Sequence, residues 1–205
     1  MTFLFLIRHA RSTWNAEGRM QGQADPPLDD VGREQARALA ERLRGEPFRA
    51  IYSSPQARAR QTAEIAFARH NPPVPITFDD RLKERDLGEW TGLTIAEVEA
   101  RYPERVDGEW RVKGPPGGES RAALVARAAA VFAEIFTVHP EGPVAVVSHG
   151  GLLNAYVAHH LLGAPLEKHV SLHLPNTAVT RLDVRPDRVY VLGVEENLSL
   201  CHIPF

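Results

Sequence analysis

Phe3-Leu4-Phe5-Leu6-Ile7-Arg8-His9-Ala10-Arg11-Ser12-Thr13-Trp14-Asn15 is the stretch that decides the fold, because its apolar run breaks abruptly into two basic residues. A continuous apolar run predicts a strand buried on both faces, as in a parallel sheet. Arg8 and His9 then stand at the carboxyl end of that strand, the edge where open α/β sheets bind ligands. An arginine and a histidine leaving a dry strand together are costly unless something anionic compensates them. Far along the chain, Pro143-Val144-Ala145-Val146-Val147-Ser148 repeats the pattern and also ends in a histidine, His149, followed by Gly150-Gly151. If the two strands are neighbours, both imidazoles reach one edge. The glycine-started helix after His149 would offer backbone N–H donors and a positive dipole end to an anion.

Bulk composition narrows the classes. A chain of 205 residues suits one domain, 1–205, with a real core. Apolar content of 43% and charged content of 24% argue against disorder or a fibre. A net charge of −2 argues against a general nucleic-acid binder. The lone cysteine, Cys201, allows no internal disulfide and fits a reducing compartment. The apolar start is too short for a signal peptide, and no stretch approaches a membrane span. A cytoplasmic protein with no membrane and no nucleic-acid partner is expected.

Between the two histidine strands the pattern alternates. A loop over 12–30 leads into a helix capped by Asp30, with Ala36, Leu39, Ala40 and Leu43 at helical spacing and Gly45 to stop it. Ala50-Ile51-Tyr52-Ser53 reads as a short strand. Ser54 as N-cap and Pro55 as first helical residue open the next helix, which ends near Asn71-Pro72-Pro73. Residues 74–78 read as a third strand and 79–92 as a charged loop. Thr94 caps a short helix, and Gly114-Pro115-Pro116-Gly117-Gly118 is a stiff turn. Residues 119–136 form the clearest helix, with Leu124, Val125, Ala128, Val131, Phe132, Ile135 and Phe136 on one face. Strands over 178–184 and 189–194 pair around Arg185-Pro186-Asp187. This alternation predicts a three-layer α/β/α sandwich on a mostly parallel central sheet with an antiparallel edge strand.

Several blocks resemble the histidine phosphatase superfamily, the phosphoglycerate mutase-like group. Arg8-His9-Ala10-Arg11-Ser12-Thr13-Trp14-Asn15 is similar to its Arg-His-Gly motif. Ser53-Ser54-Pro55, Arg58-Ala59 and Gln61-Thr62-Ala63 resemble its second-arginine motif. Leu82-Lys83-Glu84 with Gly88-Glu89-Trp90 and Gly92 resembles its acidic loop. Gly117-Gly118-Glu119-Ser120 precedes the expected helix, and Val147-Ser148-His149-Gly150-Gly151 resembles its second-histidine motif. The blocks occur in family order over nearly the whole chain.

The resemblance implies roles. His9 is the nucleophile that takes the phosphoryl group, with a backbone carbonyl fixing its tautomer. Arg8 and Arg58 clamp phosphoryl oxygens with forked donors, and His149 adds a third donor. Ser12, Asn15, Gln21, Gly22 and Gly150 complete the phosphate cradle. Glu84 is the general acid and base that serves first the leaving group and then water. No cofactor and no metal are implied, and no acidic or cysteine partner completes a zinc set around His159-His160 or His169 and His173. Two departures stand out: Ala10 replaces a glycine, and Arg11 replaces Glu or Gln, where it is expected to face solvent, the alternative being added positive charge for a multiply anionic substrate.

Hydrolysis of phosphomonoesters of small metabolites is therefore the expected reaction. A cofactor-dependent phosphoglycerate mutase is the alternative, but residues 85–118 are short and Arg111-Val112-Lys113 only partly echoes the paired arginines of mutases. A non-catalytic binding protein on the same fold is the second alternative, although His9, Arg8, Arg58 and Glu84 are all present. The expected partner is a small phosphorylated metabolite, and a homodimer is compatible with the chain.

Overall fold

Leu4 and Leu6 are buried on one face of the first strand and Phe5 and Ile7 on the other, as the apolar run predicts. The computed structural model describes residues 2–103, 114–168, 170–185 and 188–195. Expectations for Arg111-Val112-Lys113, His169, Pro186-Asp187 and Cys201 fall outside the described residues. Strands β1 (Thr2–Arg8), β2 (Ala50–Ser53), β3 (Ile76–Phe78), β4 (Gly142–Ser148), β5 (Val179–Val184) and β6 (Val189–Glu195) form one sheet. Their order is β3-β2-β4-β1-β5-β6. β1 and β4 are parallel neighbours with Arg8 opposite Ser148, so His9 and His149 leave the sheet side by side. β2 and β3 continue the parallel part. β5 runs antiparallel to β1, and β6 antiparallel to β5.

Helices cover both faces. Helix α1 (Thr13–Ala16) is a single turn after β1. Helices α2 (Asp30–Arg42) and α3 (Ala57–Phe67) bring Leu39, Ala59, Ala63 and Phe67 onto the Phe5 and Ile7 face. Helix α4 (Ile95–Arg101) is short and capped by Thr94, as predicted. On the Leu4 and Leu6 face lie α5 (Arg121–Val138) and α6 (Gly150–Asn154), the latter continued by a π-helical turn over Ala155–Leu161. Leu124, Ala128, Val131, Phe132 and Ile135 of α5 all enter this core. Phe132 stacks on Tyr156 with ring centroids 3.9 Å apart. Burying each large side chain of this kind contributes about 1.5–3 kcal/mol.

Three local expectations need correction. Asp29, not Asp30, caps α2: its carboxylate accepts from Gly32 N, and Asp30 is already helical. Ser54 does not cap α3, which starts at Ala57 with Gln56 in the cap position. Its hydroxyl is drawn instead toward His149, a partner that only the folded chain supplies. Residues 79–92 are not irregular throughout, because Asp80–Leu82 and Gly88–Trp90 form short 3₁₀ turns that bury Leu82 and Trp90.

Candidate active site

The pairing of β1 with β4 sets the His9 and His149 rings 5.1 Å apart between centroids, tilted by 58°. His9 is 3% exposed and His149 fully buried. His9 Nδ1 lies 2.7 Å from Ala10 O. A carbonyl only accepts, so Nδ1 carries the proton and Nε2 keeps its lone pair. Burial, followed by the charges of Arg58 and Arg8, holds His9 well below the usual imidazole range. The ring is therefore neutral at neutral pH.

His149 is neutral for the same leading reason, burial, followed by Arg58, His9, Arg8 and Arg127. Arg58 Nε donates to its Nδ1 at 3.2 Å. That leaves the proton on Nε2, which donates to Ser54 Oγ at 2.8 Å. Both nitrogens of His149 are thus engaged within the protein.

Arg58 has no exposed surface. Besides His149 it donates to Ala24 O at 2.7 Å and Gly22 O at 2.9 Å. Burial pulls its pKa down to about 10, partly offset by Glu84 and Asp25, so it stays cationic at neutral pH. Arg8 NH1 donates to Leu174 O. Its Nε is buried with no hydrogen-bond partner, a donor left for something not in the chain. A Cβ at position 150 would lie 3.4 Å from this Nε.

Glu84 reaches across to the start of α6. Oε2 accepts from Gly151 N at 2.9 Å, and Oε1 from Leu152 N at 3.1 Å and Arg85 N at 2.7 Å. The contact depends on glycine, since a Cβ at position 151 would lie 2.3 Å from Glu84 Oε1.

Ser12, Asn15 and Gln21 bond one another. Ser12 Oγ lies 2.7 Å from Gln21 Oε1 and 3.1 Å from Asn15 Oδ1. Ser12 and Asn15 also form the capping box of α1. Gly22 offers its carbonyl to Arg58 and to Gln56 Nε2, and so orients the Arg58 guanidinium from behind. Arg11 turns to Asp29 at 2.7 Å, away from the cleft, and is only partly exposed.

Several supporting residues were not singled out from sequence. Gln56 donates to Gly22 O and Ala24 O and accepts from Glu84 N. Arg127 donates to Arg81 O, Lys83 O and Glu84 O while pairing with Glu119. Asn176 Nδ2 donates to His9 O, and Thr177 N donates to Arg8 O. Thr177 does so at φ 61, a strained value for a β-branched residue. The only early signal was the neighbourhood of Gln56 to the Ser-Ser-Pro block; the others act through pairings distant in sequence.

Next to Arg8, Gly150 and Gly151 opens a cleft of about 690 Å³. His159, on its wall, uses Nδ1 on Ala164 O. Among the described residues no cluster of His, Cys, Asp and Glu side chains could hold a metal ion. Nor is any described helix long and apolar enough to cross a membrane.

A family model described as the histidine phosphatase superfamily (branch 1) matches residues 4–197. Phosphoserine phosphatase 1 of Hydrogenobacter thermophilus is 37% identical over 210 residues, covering 99% of this chain and 95% of that one. Glucosyl-3-phosphoglycerate phosphatase of Mycolicibacterium vanbaalenii is 40% identical over 176 residues, covering 80% and 76%. Among solved structures, Bacillus stearothermophilus YhfR superposes with a TM-score of 0.86 at 33% identity, covering 94% of this chain and 96% of that one.

Proposed function

The chain belongs to branch 1 of the histidine phosphatase superfamily, and from that premise we propose that it hydrolyses phosphomonoesters of small metabolites through a phosphohistidine on His9. The observation that carries the reading is the tautomer of His9. Its Nδ1 proton is held on Ala10 O, and burial keeps the ring neutral, so Nε2 presents a lone pair at neutral pH.

In the first step Nε2 bonds to phosphorus as the ester O–P bond breaks, and Glu84, in its acid form, gives its proton to the leaving oxygen. In the second step Glu84, now carboxylate, takes a proton from water. The water oxygen bonds to phosphorus and the N–P bond breaks. Arg8 and Arg58 hold the phosphoryl oxygens in both steps, by position and charge. The buried, unpartnered Nε of Arg8 supports an oxyanion at that point. Ser12, Asn15, Gln21 and Gly22 frame the loop that keeps Arg58 in place, and His149 orients the same guanidinium. A cytoplasmic setting accompanies the reading, supported by the single cysteine.

The test is to label the enzyme with a radioactive phosphomonoester and quench it. The expected result is acid-labile phosphorus on His9 in the wild type and none in His9→Ala, with turnover of p-nitrophenyl phosphate down by at least about 10³-fold. Equal turnover by both proteins counts against the reading, and interconversion of phosphoglycerates without phosphate release favours a mutase.

A further inference from the structure

Two buried polar side chains reach the loop after β1 from the helices beside it. Gln35 of α2 is 8% exposed and Thr62 of α3 is fully buried, on helices that otherwise bury Ala36, Leu39, Ala59 and Ala63. A polar group in such a place is costly unless it is hydrogen-bonded. Each gives its oxygen to one backbone N–H. Thr62 Oγ1 accepts from Ala10 N at 3.0 Å, and Gln35 Oε1 from Arg11 N at 2.8 Å. The Thr62 hydroxyl proton goes to Arg58 O at 2.6 Å, one helical turn back, so its oxygen meets Ala10 as an acceptor. Ala10 is itself buried against Leu28 and Ala36. Helix α2 comes so close that a Cβ at Gly32 would strike Arg11 O.

We infer that Gln35 and Thr62 are positioning residues for the nucleophile: by holding the two peptides that flank Ala10, they aim the Ala10 carbonyl at His9 Nδ1. The inference rests on the phosphomonoesterase reading above, which gives the His9 tautomer its importance. A trans peptide is planar, and its N–H and C=O point opposite ways. Tying Arg11 N to Gln35 therefore aims Ala10 O, at the other end of the same plane, at Nδ1 2.7 Å away. The preceding peptide is fixed at both ends, Ala10 N on Thr62 and His9 O on Asn176 Nδ2 at 2.9 Å. Without these ties the carbonyl can turn about its flanking dihedrals. Nδ1 then loses its acceptor, and the proton is no longer confined to that nitrogen. A neutral ring protonated on Nε2 has no lone pair there for phosphorus.

The experiment reads the ring nitrogens of His9 by NMR of isotope-labelled imidazole, assigned against His9→Gln, in the wild type, Gln35→Met, Thr62→Val and Thr62→Ser. In the wild type Nδ1 is expected to give the signal of a protonated nitrogen and Nε2 that of a lone-pair nitrogen. In Gln35→Met and Thr62→Val the Nε2 signal moves toward the protonated type. In both, kcat for p-nitrophenyl phosphate falls about tenfold, the weight of one hydrogen bond. Thr62→Ser keeps the hydroxyl and stays close to the wild type. Inhibition by inorganic phosphate is unchanged in Gln35→Met, because Arg8 and Arg58 keep their own partners. If one variant does not fold, the other carries the test. Wild-type nitrogen signals in variants that have lost rate or thermal stability overturn the inference and mark both residues as packing. A wild type inert toward every ester, whose ring signals still move in the variants, sinks the phosphomonoesterase reading and supports the aiming of His9. A wild type already protonated on Nε2 overturns both.

Discussion

The backbone N–H of Gly151 donates to Glu84 Oε2 at 2.9 Å, fastening the acidic loop to the first turn of the helix after His149. The contact is possible because position 151 carries no Cβ, which would meet Glu84 Oε1 at 2.3 Å. Gly151→Ala is expected to push the carboxylate off the helix start while leaving the sheet intact. A displacement of about an ångström can cost about 10²-fold in rate. Steady-state kinetics on alkyl phosphates, with a thermal melt as the control for folding, check this. An unchanged kcat with a normal melt would mean that the position of Glu84 is unimportant.

Glu84→Gln removes the proton that the leaving oxygen needs. For poor, alkoxide leaving groups the expected loss is about 10²–10⁴-fold. For p-nitrophenyl phosphate, whose leaving group departs unaided, the loss is much smaller. Plotting log kcat against leaving-group pKa for both proteins tests this, with the variant expected to show the steeper slope. Parallel lines would argue that Glu84 only shapes the site.

Stability should depend on pH through the two buried histidines. In the folded chain burial holds both well below the ordinary imidazole value of 6.5. Between that value and the folded pKa the unfolded chain binds more protons, so stability falls as pH falls. The contribution is complete above 6.5 and is lost at about 1.4 kcal/mol per pH unit for each histidine. Denaturant melts from about pH 7.5 to about pH 5.5 read the slope. His149→Gln, which cannot gain the proton, should flatten it, and an equal slope in the variant would rule His149 out as a source.

The central part of the sheet was legible in sequence because burial on both faces leaves an unmistakable apolar run, at Phe3 to Ile7 and again at Pro143 to Val147. The same runs located Arg8, His9 and His149 at strand exits. Helix starts were read less well. Adjacent aspartates, Asp29 and Asp30, offer equal capping chemistry, and backbone geometry chose Asp29. Ser54 looked like a cap until His149 gave its hydroxyl a buried partner.

By itself, the sequence determined the alternation of strands and helices, the two histidine exits and the motifs that mark the superfamily, since all of these are local patterns of polarity and residue type. Only the tertiary structure decided how the polar groups divide their hydrogen bonds: that Arg58 serves His149 and two loop carbonyls, that Gln56 links the 22–24 loop to Glu84, and that Arg85 and Arg121 share one wall. A buried donor must find an acceptor wherever the fold brings one within reach. That choice depends on distances between segments remote along the chain, which no local pattern encodes.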